Sequence, residues 1–304
     1  MLRTETSPGQ PNLAASRLNV MDAAPTLAMT TLSMAPTPST DALLGTGAVV
    51  LRDTAPTAGR LIVNADDWGR DRETTDRTVE CIVRGAVSSV SAMMFMQDSE
   101  RAAAIARERG IDAGLHLNFT TPFSAPGVPA LLTRHQQRLA AYLRPHRFAQ
   151  VVFHPALMRS FAYAVAAQRN EFVRLYGKEP DRLDGHHHMH LCANVLLGGL
   201  LPPGTVVRRN FSFWPGEKSS CNLLYRKVVD AALARRHRLT DFFFSLAPLH
   251  PPARLQRIFA LARVSAVEVE THPVDRSEYR FLTGGEMAHR AGDLAVASGF
   301  ALRR

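Results

Sequence analysis

The sequence predicts an α/β fold: a barrel of mainly parallel strands wrapped by helices, occupying residues 61–304 and preceded by a disordered leader, residues 1–60. Three observations lead there. Short apolar runs alternate with longer helical stretches along the whole of 61–304, a repeated βα pattern that implies a mainly parallel sheet. Several of those runs end in polar, chemistry-bearing residues, as strands do at the carboxyl rim of a barrel. The composition, 46% hydrophobic and 21% charged, is that of a chain able to bury a large core. A doubly wound sheet is the alternative. The barrel is preferred because the polar residues follow strands far apart in the chain and would gather at one rim.

The leader holds six prolines and ten threonines but no aromatic residue, cysteine or lysine. It offers too little apolar area to offset its ordering entropy, and it lacks the apolar core of a secretory signal. The folded part opens with Leu61-Ile62-Val63, a buried strand that meets polar Asn64-Ala65-Asp66-Asp67. A helix is expected over 71–84, an apolar strand segment over 87–96, and a second helix over 99–109, closed by Gly110. Residues 113–118 form the next strand, 161–176 a long helix, and a short strand around Leu183 runs into a histidine cluster. Strands over 205–209, 241–246 and 264–271 alternate with helices over 222–236 and 252–263. No internal repeat is visible.

Bulk properties narrow the function classes. No stretch approaches the roughly 18–20 apolar residues of a membrane helix. Cys81, Cys192 and Cys221 have no CxxC spacing and are odd in number, which argues against a disulfide framework or a thiolate site and favours the cytoplasm. The net charge of +9 permits contact with nucleic acid, but the arginines are scattered and lysine is confined to Lys178, Lys218 and Lys227, so no nucleic-acid partner is expected.

Four segments carry chemistry: Asn64-Ala65-Asp66-Asp67-Trp68-Gly69, Gly114-Leu115-His116-Leu117-Asn118, Asp184-Gly185-His186-His187-His188-Met189-His190, and Glu270-Thr271-His272-Pro273. Adjacent carboxylates at the end of a buried strand repel one another unless a proton or a cation compensates. Two imidazoles and one carboxylate form the usual first shell of a hydrolytic metal centre, and Asp67, His116 and His186 supply it. Asp66 is then free to act as the base, and His272 to protonate a leaving amine. Each piece alone has a plainer reading, as a solvated turn, a core histidine or a strand terminator. Four histidines within five residues, converging with the other three segments, favour the metal site.

From Leu61 onward the chain resembles the YdjC-like carbohydrate deacetylases, the group that includes chitooligosaccharide deacetylase and hopanoid-associated deacetylases. The resemblance rests on LIVNADDWG (with Trp68 where the family has Phe), GLHLN, LDGHHHMH and THP. It implies a distorted (β/α) barrel, one divalent ion, magnesium or zinc, held by Asp67, His116 and His186, Asp66 as base, and hydrolysis of an N-acetyl group on an amino sugar, oligosaccharide or glycolipid. His188, His190 and Asn118 are then expected to line the sugar site. Trp68, Phe213 and Trp214 are candidate stacking surfaces, although core packing accounts equally well for such aromatics. The chain departs from the family pattern in 135–150 and 208–214, which are expected to shape substrate choice. Alternatives are a non-haem iron enzyme using the same Asp-His-His set and a basic nucleic-acid-binding protein; a homodimer is left open.

Overall fold

The computed structural model describes residues 59–145 and 148–300, so the expected leader lies outside the described residues but for its last two positions. Seven parallel strands form one curled sheet in the order β5-β4-β3-β2-β1-β7-β6. They are β1 (Arg60–Trp68), β2 (Ser89–Ala92), β3 (Asp112–Leu117), β4 (Arg182–Gly185), β5 (Val206–Val207), β6 (Phe242–Ser245) and β7 (Ala266–Thr271). β1 lies between β2 and β7 and is buried along almost its entire length, which is why it reads as a continuous apolar run rather than an alternating one. The barrel does not close with a ladder. β5 and β6 are the edges, and the seam is crossed by an isolated bridge between Val206 and Arg238, which precedes β6 (Val207 N to Arg238 O, 2.9 Å; Arg238 N to Thr205 O, 3.1 Å), and by Ser212 N to Phe243 O (2.7 Å).

Nine α-helices among the described residues cover the sheet. α1 (Arg72–Val83) begins where Asp71 accepts the Thr74 backbone N–H at 2.8 Å. α2 (Ser99–Arg109) stops at Gly110, whose φ of 64° takes the left-handed turn that an L side chain resists. α3 (Ala130–Leu143) buries Leu132, Gln136, Leu139 and Leu143, spaced to form one face against α4 (Met158–Tyr176). α5 (Ala193–Leu197), α6 (Ser220–Ala234), α7 (Pro252–Ala262), α8 (Arg276–Thr283) and α9 (Glu286–Ala291) complete the set. α3, α5, α8 and α9 are additions to the sequence expectation, and the strand expected over 205–209 shortens to two residues. None of the helices is long and apolar enough to cross a membrane.

The α1 cap is testable by stability alone. Asp71→Ala removes the acceptor for both the backbone N–H and the hydroxyl of Thr74. A loss of about 1 kcal/mol in urea unfolding is expected, and no measurable change would show that the helix starts without it.

Candidate active site

Adjacent residues of a regular strand point to opposite faces, so Asp66 and Asp67 could not both serve one site on an ideal β1. The strand avoids this with a bulge. Between Ala65 and Trp68 it spends one residue more than β2 spends between Val90 and Ala92, and Asp67 sits in the left-handed region at φ 64°. Such a conformation costs on the order of 1–3 kcal/mol for a non-glycine residue. It turns both carboxylates toward the carboxyl rim.

The tract after β4 is bent in the same way. His187 and His188 are consecutive left-handed residues, with φ of 54° and 57°, so the four histidines fan out instead of sharing a face. His186 Nδ1 comes within 2.9 Å of Asp67 Oδ1. His187 Nδ1 meets the Thr120 hydroxyl at 3.0 Å, His188 Nε2 lies 3.6 Å from Glu270 Oε2, and buried His190 pairs through Nε2 with the carbonyl of Arg208 at 2.9 Å. Gly185 makes the bend possible, because a Cβ there would stand 3.0 Å from both the Cβ and the N of His190.

His116, on β3, brings Nε2 to 3.4 Å from Asp67 Oδ1. The ligand atoms of Asp67, His116 and His186 therefore lie within 4.8 Å of one another, and the same limit holds for Asp66, His116 and Asp184. The residues fit a cation on a specific ground. Asp67 Oδ1 is buried and accepts no hydrogen bond of sound geometry, although two ring nitrogens stand beside it. Asp67 Oδ2 is taken by Arg70 Nη1 at 2.7 Å, which fixes the carboxylate with Oδ1 inward. Burial alone would raise Asp67, but the fields of His186 and His116 hold it well below the ordinary carboxylate range.

Behind these groups stands a layer to which the sequence reading gave no role. Asp184 Oδ1 holds His116 Nδ1 at 2.8 Å, leaving Nε2 to face Asp67, the arrangement that orients metal-ligating histidines. Asp184 in turn takes the Ser91 hydroxyl at 2.5 Å and Arg208 Nη2 at 3.0 Å. Arg208 is itself fully enclosed. It grips Asp66 with both terminal nitrogens (2.6 and 2.7 Å), donates Nε to Glu268 at 2.7 Å and reaches Glu270 at 3.5 Å. Asn64 Nδ2 adds a 2.8 Å bond to Asp66 Oδ1.

The buried acids are thus divided by their neighbours. Burial and the nearby Asp66 charge push the Glu270 carboxyl up to about 8, and burial raises Glu268 in spite of Arg208. For His116, burial works downward, but Asp184 and Asp66 carry it up to about 10. A ligating imidazole must be neutral, so a cation and this proton compete for the same place. His272, half-buried at the end of β7, is lowered by burial but raised overall by Glu270, Asp66, Asp67 and Glu278, and its backbone N–H is anchored on Glu278 at 2.8 Å.

The residues expected to line a sugar site fare differently. Asn118 is buried and spends its side chain on its own loop, accepting from the Thr120 and Thr121 N–H groups and donating to the Thr121 carbonyl. Trp68 lies wholly in the hydrophobic core, the packing role its type also allowed, with no face open to a ligand. His190 is closed off beneath Gly185. Trp214 is half-buried on the core, its ring stacked on Phe244 at 5.6 Å with the Arg257 guanidinium 4.0 Å from its centroid. His188 keeps a partly open side chain, flanked by Phe211 at 4.6 Å between ring centres. Of the five, His188 is the one left both near the acids and partly accessible.

Comparison with known proteins adds to this geometry. The sequence model of the YdjC-like protein family matches residues 60–297. A chitooligosaccharide deacetylase of Serratia marcescens is 33% identical over 136 residues, which cover 43% of this chain and 50% of that protein. A carbohydrate deacetylase of Mus musculus is 32% identical over 144 residues, covering 45% and 44%. The chain spans about half the length of the curated relatives it matches. Among solved structures, an Enterococcus faecalis protein titled for cellobiose-phosphate cleavage aligns with a TM-score of 0.52 at 18% identity, over 79% of this chain and 97% of that one, a likeness of fold.

Proposed function

The chain belongs to the YdjC-like protein family, and on that premise we propose that it is a cytoplasmic, divalent-metal-dependent carbohydrate deacetylase, removing the N-acetyl group from an amino sugar, an oligosaccharide or a glycolipid. The observation that carries the proposal is the convergence of Asp67 Oδ1, His116 Nε2 and His186 Nδ1, with the carboxylate oxygen buried and unsatisfied. A magnesium or zinc ion held by those three atoms would acidify water and polarise the acetyl carbonyl.

The remaining steps belong to side chains. Asp66, held in one orientation by the Arg208 fork and by Asn64, takes the proton released as water adds to the carbonyl carbon. His272, kept basic by the surrounding carboxylates, carries a proton to the amide nitrogen as the C–N bond breaks. The acyl carbon leaves as acetate and the sugar as a free amine. Phe211 and His188 offer a partly open wall for the sugar ring.

The test is acetate release from N-acetylated chitooligosaccharides and from N-acetylated glycolipids by the full chain, before and after chelation, with metal content measured on the same samples. Acetate release that chelation abolishes and added metal restores supports the proposal; turnover indifferent to chelation overturns its metal dependence. Oxygen consumption without acetate release would point instead to the iron reading of the same ligands. The ligand set is checked separately by binding. His116→Ala and His186→Ala should each abolish stoichiometric metal, and Asp184→Asn, which frees the His116 ring, should weaken metal affinity about 10–100-fold. A full metal complement in all three would remove these residues from the centre.

A further inference from the structure

We infer that the loop over residues 148–153, together with the exposed side of α3, is a docking surface for an anionic lipid bilayer at the mouth of the active site. The first support is charge. Residues 113–170 contain six arginines and no aspartate, glutamate or lysine, so this one stretch contributes +6 of the chain's +9. Arg134, Arg138 and Arg144 are exposed and form no ion pair among the described residues, whereas Arg169 pairs with Glu179 and Arg174 with Glu100 and Glu171, where acids resume. A basic surface with no internal counter-charges is suited to anionic head groups.

The second support is exposed apolar surface within that basic field. Phe148, Val152 and Phe153 are 52%, 50% and 39% exposed, three large apolar side chains within six residues. Scattered surface hydrophobics need no explanation, but a cluster of them beside arginines combines the two contacts of an interfacial anchor: side chains for the acyl boundary and cations for the head groups. Val152, aliphatic and half exposed beside Phe153, offers nothing to stack on a base and suits the acyl boundary of a bilayer.

The third support is position. The loop is fastened to the segment that carries the histidines. Gln150 donates to the His188 carbonyl at 3.3 Å, Ala193 N–H donates to the Gln150 carbonyl at 2.8 Å, and Asn194 exchanges two 2.9 Å hydrogen bonds with the backbone of His154. On the other side the Tyr142 hydroxyl donates to the Val152 carbonyl at 3.2 Å. The loop is thus fixed with respect to the rim where Asp67, His116 and His186 meet. The surface does not depend on the deacetylase reading, since the read-out is binding and not turnover.

The full chain is to be co-sedimented with phosphatidylcholine vesicles containing phosphatidylglycerol, and with phosphatidylcholine vesicles alone. Binding to the mixed vesicles, weak on the neutral ones and falling as salt rises, is expected. Two variants, Val152→Ser with Phe153→Ser and Arg134→Glu with Arg138→Glu, change only exposed side chains, and each should lower the partition coefficient roughly tenfold while circular dichroism stays unchanged. Failure of the unaltered chain to sediment with mixed vesicles overturns the inference, as does equal binding by both variants. RNA binding, or a dimer that the Val152→Ser, Phe153→Ser variant dissociates, would overturn it as well if the vesicles remain unbound.

Discussion

Replacing Arg208 with leucine is expected to destabilise the domain by about 3–5 kcal/mol, the loss typical of stripping one partner from a buried charge network. Arg208 is wholly enclosed and is shared by Asp66, Asp184, Glu268 and Glu270. Its removal leaves four buried carboxyl groups facing one another, of which burial already holds Glu268 and Glu270 above their ordinary range. With total stabilities of about 5–15 kcal/mol, a domain has little room for such a loss. Urea unfolding gives the number, and a change below about 1 kcal/mol would mean that the acids are neutralised by other means. If the leucine variant does not accumulate, Arg208→Lys keeps the charge but loses the two-pronged grip on Asp66, and an intermediate loss is expected.

The second large effect is on turnover. Asp66→Asn should lower the rate of acetate release by about 10²–10⁴-fold while the protein retains its metal, because a proton acceptor is lost and Asp67, His116 and His186 are untouched. The two read-outs separate the roles of neighbouring residues: the same substitution at Asp67 should remove the metal as well. An Asp66→Asn protein that keeps full activity would pass the role of base to another group. One that loses its metal would move Asp66 into the ligand set, where its proximity to His116 and Asp184 makes it the next candidate.

What the sequence disclosed about the fold followed from patterns that need no tertiary context. Leu61-Ile62-Val63 reads as a buried parallel strand whatever packs on it, and Gly110 ends α2 by its own backbone freedom. α3 escaped because it has no side-chain cap and puts Gln136 at an inward position, so its apolar face is interrupted. At the site, Asp67, His116 and His186 were legible because each follows an apolar run. Their convergence hangs on two features that no residue type announces, the bulge at Asp67 and the paired left-handed histidines. Arg208 was visible as part of a departure from the family pattern and not as the hub of the acids. A usable signal for that hub existed in β7, where Glu268 and Glu270 alternate with valines and so must point to one side of a buried strand.

The incomplete closure between β5 and β6 carries a consequence of its own. A barrel sealed all round ties strand number, tilt and stagger together, so that lengthening one wall disturbs every other. Here the stretch after Val207 meets the far side of the slot through the Ser212–Phe243 pair, through Arg209 on the Thr240 and Asp241 carbonyls and through Trp214 stacked on Phe244, and it holds Arg208 inward while Phe211 leans on Phe243. With Arg208 kept in place to hold Asp66 and Asp184, the part of that wall beyond it, around Phe211, can be made bulkier or slimmer without adding to the sheet's ladders, which makes it the place where the width of the substrate cleft is tuned.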